Sequence, residues 1–174
     1  KDETASTFEA GIKTRLLDRK LTLNAAVYNT LSKNSYFFVF LAANSTQNLG
    51  NVPKTRLQGF ELEANFRPSP DVQLNASVGY TWSDIKEFPD PAAIGNEAPL
   101  ISRYTYNLGA QFTPELSTGL NGLFRVDYRR TGPTWWEPFN TTVRNPVDLF
   151  DARLGVSGDV WSLTAFANNL FNEK

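Results

Sequence analysis

Glu61 and Glu63 stand two residues apart in an extended stretch, which puts both carboxylates on one face of a strand. Paired carboxylates can divide acid and base work when a cleft gives them unequal environments. The plainer reading is a wetted wall in which they meet Arg67, Arg103 or Arg125. Arg125, Asp127 and Arg129 share a strand face in the same way, with Arg130 beside them. Guanidinium groups match carboxylate and phosphate geometry, so this cluster could hold an anionic ligand; pairing among themselves is the more ordinary use. The most site-like feature is Trp135-Trp136, set between Pro133 and Pro138 in a long connection. Exposed aromatic surface calls for a partner, and loops held on rigid strands commonly carry recognition. Loop-on-loop packing or an interface anchor would explain the same pair.

The chain has no Cys and no His, which removes thiol nucleophiles, imidazole bases, disulfides and the usual zinc sites together. It shows no phosphate-cradling Gly loop, EF-hand loop or G-x-S-x-G elbow. The expectation is therefore no enzyme, no cofactor and no metal. Net charge is −1, from 17 Lys+Arg and 18 Asp+Glu, so no global field would draw in nucleic acid. Asn44, Asn75 and Asn140 head N-x-[ST] triplets, a pattern too short to weigh much, and Asn75 falls inside a strand pattern.

The elements that must carry these residues are legible as alternation. Hydrophobic residues are 41% and aromatic residues 13% of the chain, yet mean hydropathy is −0.35, so apolar and polar residues are interleaved. In 72–83, Val72, Leu74, Ala76, Val78, Tyr80 and Trp82 alternate without error against polar or small neighbours. The pattern returns in 59–67 and 103–113, and less perfectly in 8–16, 21–31, 120–130, 149–157 and 161–168. That makes about eight strands, each long enough to cross a bilayer when tilted. The longest apolar run, 36–43, falls far short of the roughly 18 residues a spanning helix needs.

Connections alternate in length. Turn-like pieces at 18–19, 68–71, 114–119 and 158–159 interleave with long ones at 33–53, 84–102 and 132–147, the layout of an outer-membrane barrel with tight inner turns and extended outer loops. Within the first long connection, 36–41 continues the second strand, turns near Asn44-Ser45 and returns through 47–58. Residues 84–99, with three prolines and net negative charge, read as an ordered outer loop. Tyr28, Tyr80, Trp82, Tyr104, Tyr106 and Tyr128 fall toward the long-loop ends, and Phe66, Phe112 and Trp161 toward the short-turn ends. Two such bands are expected at the two headgroup layers.

Phe8 to Lys13, followed by Leu21-Thr22-Leu23-Asn24 and Tyr28, resembles the E-x-G-x-K then L-x-L-N-x-x-x-(aromatic) hairpin of TonB-dependent outer-membrane receptors. Asn51 with Gly59-Phe60-Glu61-Leu62-Glu63 is similar to their N-x7-G-x-E-x-E strand. Residues 149–155, then Trp161 to Thr164 and Asn169-Leu170-Phe171-Asn172, resemble their penultimate hairpin. The resemblance implies an all-β, antiparallel transmembrane barrel of about 22 strands in the bacterial outer membrane, of which this chain supplies about eight. It implies a C-terminal barrel section spanning residues 1–174, with the N-terminal plug and the final strand lying elsewhere. No charged-then-apolar leader precedes Asp2 and Glu3, which agrees with an internal section.

The function so implied is import of a scarce nutrient, foremost a ferric siderophore, with energy from the TonB complex. The implied partners are outer-membrane lipid, the receptor's own plug, TonB through that plug, and the ligand. Trp135, Trp136, Arg129 and Arg130 are the residues expected at the outer loops and vestibule. Two alternatives carry weight. One is a complete eight-stranded barrel serving as a structural anchor or adhesin; the other is a soluble β-barrel or sandwich with its apolar face inward.

Overall fold

The computed structural model describes residues 2–41 and 46–173. The strands are β1 Thr4–Leu16, β2 Leu21–Leu41, β3 Thr46–Ser69, β4 Val72–Glu87, β5 Tyr104–Phe112, β6 Glu115–Ser117, β7 Leu120–Thr131, β8 Thr134–Trp135, β9 Val143–Arg144, β10 Val147–Ser157 and β11 Ser162–Ala167. A 3-10 turn, Pro91–Ala93, lies between β4 and β5. All the long strands form one antiparallel sheet in the order β1-β2-β3-β4-β5-β7-β10-β11, with β6 pairing β7; β8 and β9 form a small separate hairpin. The expected strands are all present, and the β2–β3 hairpin is paired out to Leu41↔Thr46 as the alternation predicts. Its tip, including the Asn44 triplet and the predicted Asn44-Ser45 turn, lies outside the described residues.

Register follows from the side-chain period. A one-residue slip would throw every apolar side chain to the other face, so the pattern pins each pair. Ile12, Ala25, Leu62, Val78 and Tyr106 stand in one cross-strand row, and Ala64, Ala76, Leu108, Tyr128 and Phe150 in the next. The opposite face carries Lys13, Asn24, Glu63, Ser77, Asn107 and Arg129. The short turns gather at one end. Between β1 and β2, Asp18 and Arg19 take positive φ, the primed geometry that matches strand twist, and the Lys20 amide closes on the Leu17 carbonyl at 3.0 Å.

The apolar face has no second layer over it among the described residues. Phe8 is 77% exposed and Leu163 69%. Left in water, each such side chain would forgo about 1.5–3 kcal/mol of burial. The small core that does exist, Phe37, Val52, Ile85 and Ala98 with Phe88 and Ile101 against it, lies at the long-loop end. A soluble sandwich with its apolar face inward is therefore not this fold. Nor do β1 and β11 pair with each other: they end the strand order at opposite edges.

Aromatic rings gather on the apolar face near the long-loop ends. Tyr80 and Trp82 lie 4.4 Å apart with Phe60 beside them, Tyr104 and Tyr106 stack at 5.1 Å, and Tyr128 meets Phe150 at 4.6 Å. Phe112 and Phe124 mark the short-turn end. Tyr28 is a correction. It stands on the polar face, pairs across with Gly59, and shares a 2.6 Å hydroxyl bond with Thr81 beyond it. Only glycine leaves room for that crossing, because a Cβ at 59 would meet the Tyr28 ring and the Tyr80 carbonyl. Trp161 is the other adjustment, sitting in the turn closed by the Gly158 amide and its own carbonyl rather than in β11.

Candidate functional site

The polar face is a charged wall that carries Glu61 and Glu63 together. Glu63 accepts hydrogen bonds from Asn24 at 3.1 Å and Asn65 at 3.1 Å. Arg67, Arg103 and Arg125, the partners expected for these carboxylates, are engaged elsewhere: with Gln73, with Glu97, and with Asp127 and Gln111. Glu61 has no hydrogen bond or ion pair among the described residues. An open depression of about 800 Å³ runs along this wall, with Glu9, Lys13, Asn24, Glu61 and Glu63 on its sides and Gly11, Ala26 and Gly79 leaving it hollow. Among the described residues no group of carboxylates converges on a metal position.

On β7 the expected same-face cluster forms. Arg125 grips Asp127 through two parallel bonds of 2.7 and 2.6 Å, the strong bidentate geometry. Arg129 reaches Asp151 on β10 at 3.6 Å and keeps much of its guanidinium open. Arg130 does not join them. Successive strand residues face opposite ways, and the register sets Arg130 between Tyr106 and Asp148 on the apolar face. There it is held by both oxygens of Asp148, at 3.0 and 2.9 Å, while the Tyr128 hydroxyl donates to the same carboxylate at 2.6 Å. Its expected place in the vestibule with Arg129 gives way to a place in the aromatic band.

The outer loops are built as one unit. Loop 88–103 packs inward over β4, where Ile85 exchanges backbone bonds with Gly95 and Asn96 at 2.9 Å each. Loop 132–146 is tied to it side by side. Asn140, at φ 55°, accepts from the Glu97 amide at 2.9 Å and donates to the Glu97 carbonyl at 3.0 Å, so one side chain imitates a strand pairing. Asn96 reaches the Pro138 carbonyl at 3.0 Å, and the Leu100 amide bonds the Trp135 carbonyl at 2.8 Å. Ser102 and buried Thr134 share a 2.7 Å bond beneath the Arg144 guanidinium.

Glu137 fixes the tip. Its carboxylate accepts amides from Phe139, Thr141 and Thr142 at 2.7, 2.5 and 3.0 Å. Burial alone would raise its pKa, but these donors outweigh that and hold it below the usual carboxylate value. The result is a rigid tip from which Trp136 projects, 49% exposed, next to the half-buried Trp135. Phe139 stands by, its ring edge-on to Phe88 at 5.9 Å. Sequence reasoning found the tryptophans but missed Glu137 and Asn140. The run Asn140-Thr141-Thr142 behind an acidic residue was the available signal, since short polar side chains favour such turns.

Comparisons with known proteins agree with the fold. A family model described as TonB dependent receptor-like, beta-barrel, matches residues 1–170. The probable TonB-dependent siderophore receptor PiuA of Acinetobacter baumannii is 26% identical over 151 residues, which is 78% of this chain and 19% of that receptor. The catecholate siderophore receptor Fiu of Escherichia coli is 26% identical over 122 residues, 68% of this chain and 15% of its own length. Among solved structures, the ferric yersiniabactin uptake receptor FyuA from Yersinia pestis superposes with a TM-score of 0.80 at 22% identity, covering 98% of this chain and 25% of that one. The chain thus spans about a fifth or less of the curated relatives it matches.

Proposed function

The chain belongs to the TonB-dependent receptor β-barrel family of the bacterial outer membrane, and from that premise we propose that it forms part of the wall of an active transporter importing a ferric siderophore with energy from the TonB complex. In this reading it is a C-terminal section of a barrel of about 22 strands. Its apolar face meets lipid, and its polar face turns to a lumen filled by the receptor's own N-terminal plug. Glu9, Glu61 and Glu63 give that face acidic positions suited to basic groups on the plug.

The observation that carries the ligand assignment is the cross-tied pair of outer loops, which holds Trp135 and Trp136 rigidly at the outer end. An aromatic surface fixed before binding loses little entropy when a ligand stacks on it. Arg129, on the polar face below, offers an open guanidinium to an anionic chelate. The names of PiuA and Fiu, both siderophore receptors, support this ligand class. Movement of the ligand would belong to the plug, and the wall supplies capture and a polar path.

The test is uptake by the full-length receptor with iron chelates supplied singly, in cells with and without TonB. One chelate should support TonB-dependent uptake, and Trp136→Ala should weaken its binding on the order of tenfold. Should no iron chelate be taken up, the import reading fails. Should Trp136→Ala and Arg129→Gln both bind like the parent, the loop site fails while import stands. The alternative of a closed eight-stranded anchor needs β1 paired with β11, and the strand order keeps them apart.

A further inference from the structure

Neighbouring strands change character together on the apolar face. Along β3 the outward residues run Phe60, Gln58, Arg56, Lys54: ring, amide, guanidinium, ammonium. On β2 the same face ends in Leu31 and Lys33, and on β4 it passes from Trp82 to Asp84 and Lys86. Pairing sets Lys33 directly opposite Lys54, and Arg56 opposite both Leu31 and Asp84. Lys33, Lys54, Arg56 and Lys86 therefore lie just beyond the Phe60, Tyr80 and Trp82 rings, with Asp84 and Glu87 of opposite sign beside them.

The charges are incompletely matched. Lys54 bonds Glu87 at 2.9 Å, and Lys86 pairs with Asp84. Arg56 gives its Nε to Asn29 at 2.8 Å and, among the described residues, meets no carboxylate in an ion pair. Lys33 makes no hydrogen bond or ion pair among the described residues. Like charges set opposite each other in a sheet repel; Glu87 bonds Lys54 and also attracts Lys33, one carboxylate shared between two ammonium groups. Arg130 shows the contrast: on the same face, it is closed off by both oxygens of Asp148.

We propose that Lys33 and Arg56, with Lys54 beside them, seat the phosphate of an outer-leaflet lipid headgroup. The order of chemistry along each strand is that of a lipid read from chain to head. Leu62 and Val78 would lie along the acyl region, the Phe60, Tyr80 and Trp82 rings at the interface, and the open cations at phosphate level. The seat is independent of which ligand the receptor imports.

The test offers the full-length receptor, purified in neutral detergent, a bis-phosphorylated glucosamine-disaccharide lipid and its dephosphorylated twin, with retained lipid read by native mass spectrometry. The phosphorylated form should be retained about tenfold better, and Lys33→Gln and Arg56→Gln should each lower that retention about fivefold. Each single variant is read separately, and heat-shifted gel mobility confirms the folded barrel. Arg130→Gln should keep the preference. Equal retention of the two lipids, or unchanged retention in both single variants, overturns the proposal. So does full competition by inorganic phosphate, which would mark a soluble-anion site, or a dimer broken by the same variants, which would mark a protein partner.

Discussion

A methyl group added at Gly59 would land on the Tyr28 hydroxyl and the Tyr80 carbonyl oxygen, and the second of these is backbone that cannot swing aside. Gly59→Ala in the full-length receptor should therefore destabilise the barrel by about 1–3 kcal/mol in urea unfolding. Gly59→Ala combined with Tyr28→Ala should recover little, because the carbonyl clash remains. Glu137 makes a prediction with a pH sign. Its folded pKa lies below the ordinary value, so the stability it lends the loop tip is present above about pH 4.5 and fades as pH falls through the folded value. Tryptophan fluorescence of the tip should change on acidification, and Glu137→Gln should lose that response while loosening the tip by about 1–3 kcal/mol. Arg129 and Arg130 show what was legible at this scale. The alternation that groups Arg125, Asp127 and Arg129 is the same rule that sends Arg130 to the other face, and adjacency in the chain hid it.

Among the elements, the extended β2–β3 hairpin and loop 88–103 depend on each other. Ile85 is fully buried between them, with Phe37, Val52 and Ala98. Ile85→Ala should cost about 2–4 kcal/mol of local stability. Hydrogen exchange should quicken in loop 88–103 and, through the Asn140–Glu97 ties, in loop 132–146, while the β5–β7 amides keep their protection. The long strands were readable because each alternates over many residues, as in 72–83. Tyr28 was misread because Ala25-Ala26-Val27-Tyr28 is apolar at every position and blurs the period. Strands β8 and β9 are two residues each, too short to show any period, and they pair with each other within loop 132–146, which is itself bonded to loop 88–103. A face switch was invisible too. Asn34 takes φ 58°, and Ser32 meets Ser35 at 2.7 Å, a contact between positions that a regular strand turns apart.

For the molecule as a whole, the uncovered apolar face decides the solvent it needs. Full-length receptor should stay monodisperse in detergent and aggregate when detergent is withdrawn, as light scattering would show; a stable monomer in plain buffer would sink the membrane assignment. The same face explains how so little buried core accompanies so much regular structure, and in the proposed transporter wall lipid would take the place of a second layer. Strand order supplies one more consequence, which concerns time. In the main sheet order follows sequence, so each long strand pairs with the long strand just before it. A pairing of this kind needs only a hairpin's worth of chain to close, and isolated hairpins form in about 1–10 μs. The wall can therefore grow one hairpin at a time without a long search for partners. During that growth an open edge of unpaired amides, a liability in a finished protein, is the template on which the next strand is laid.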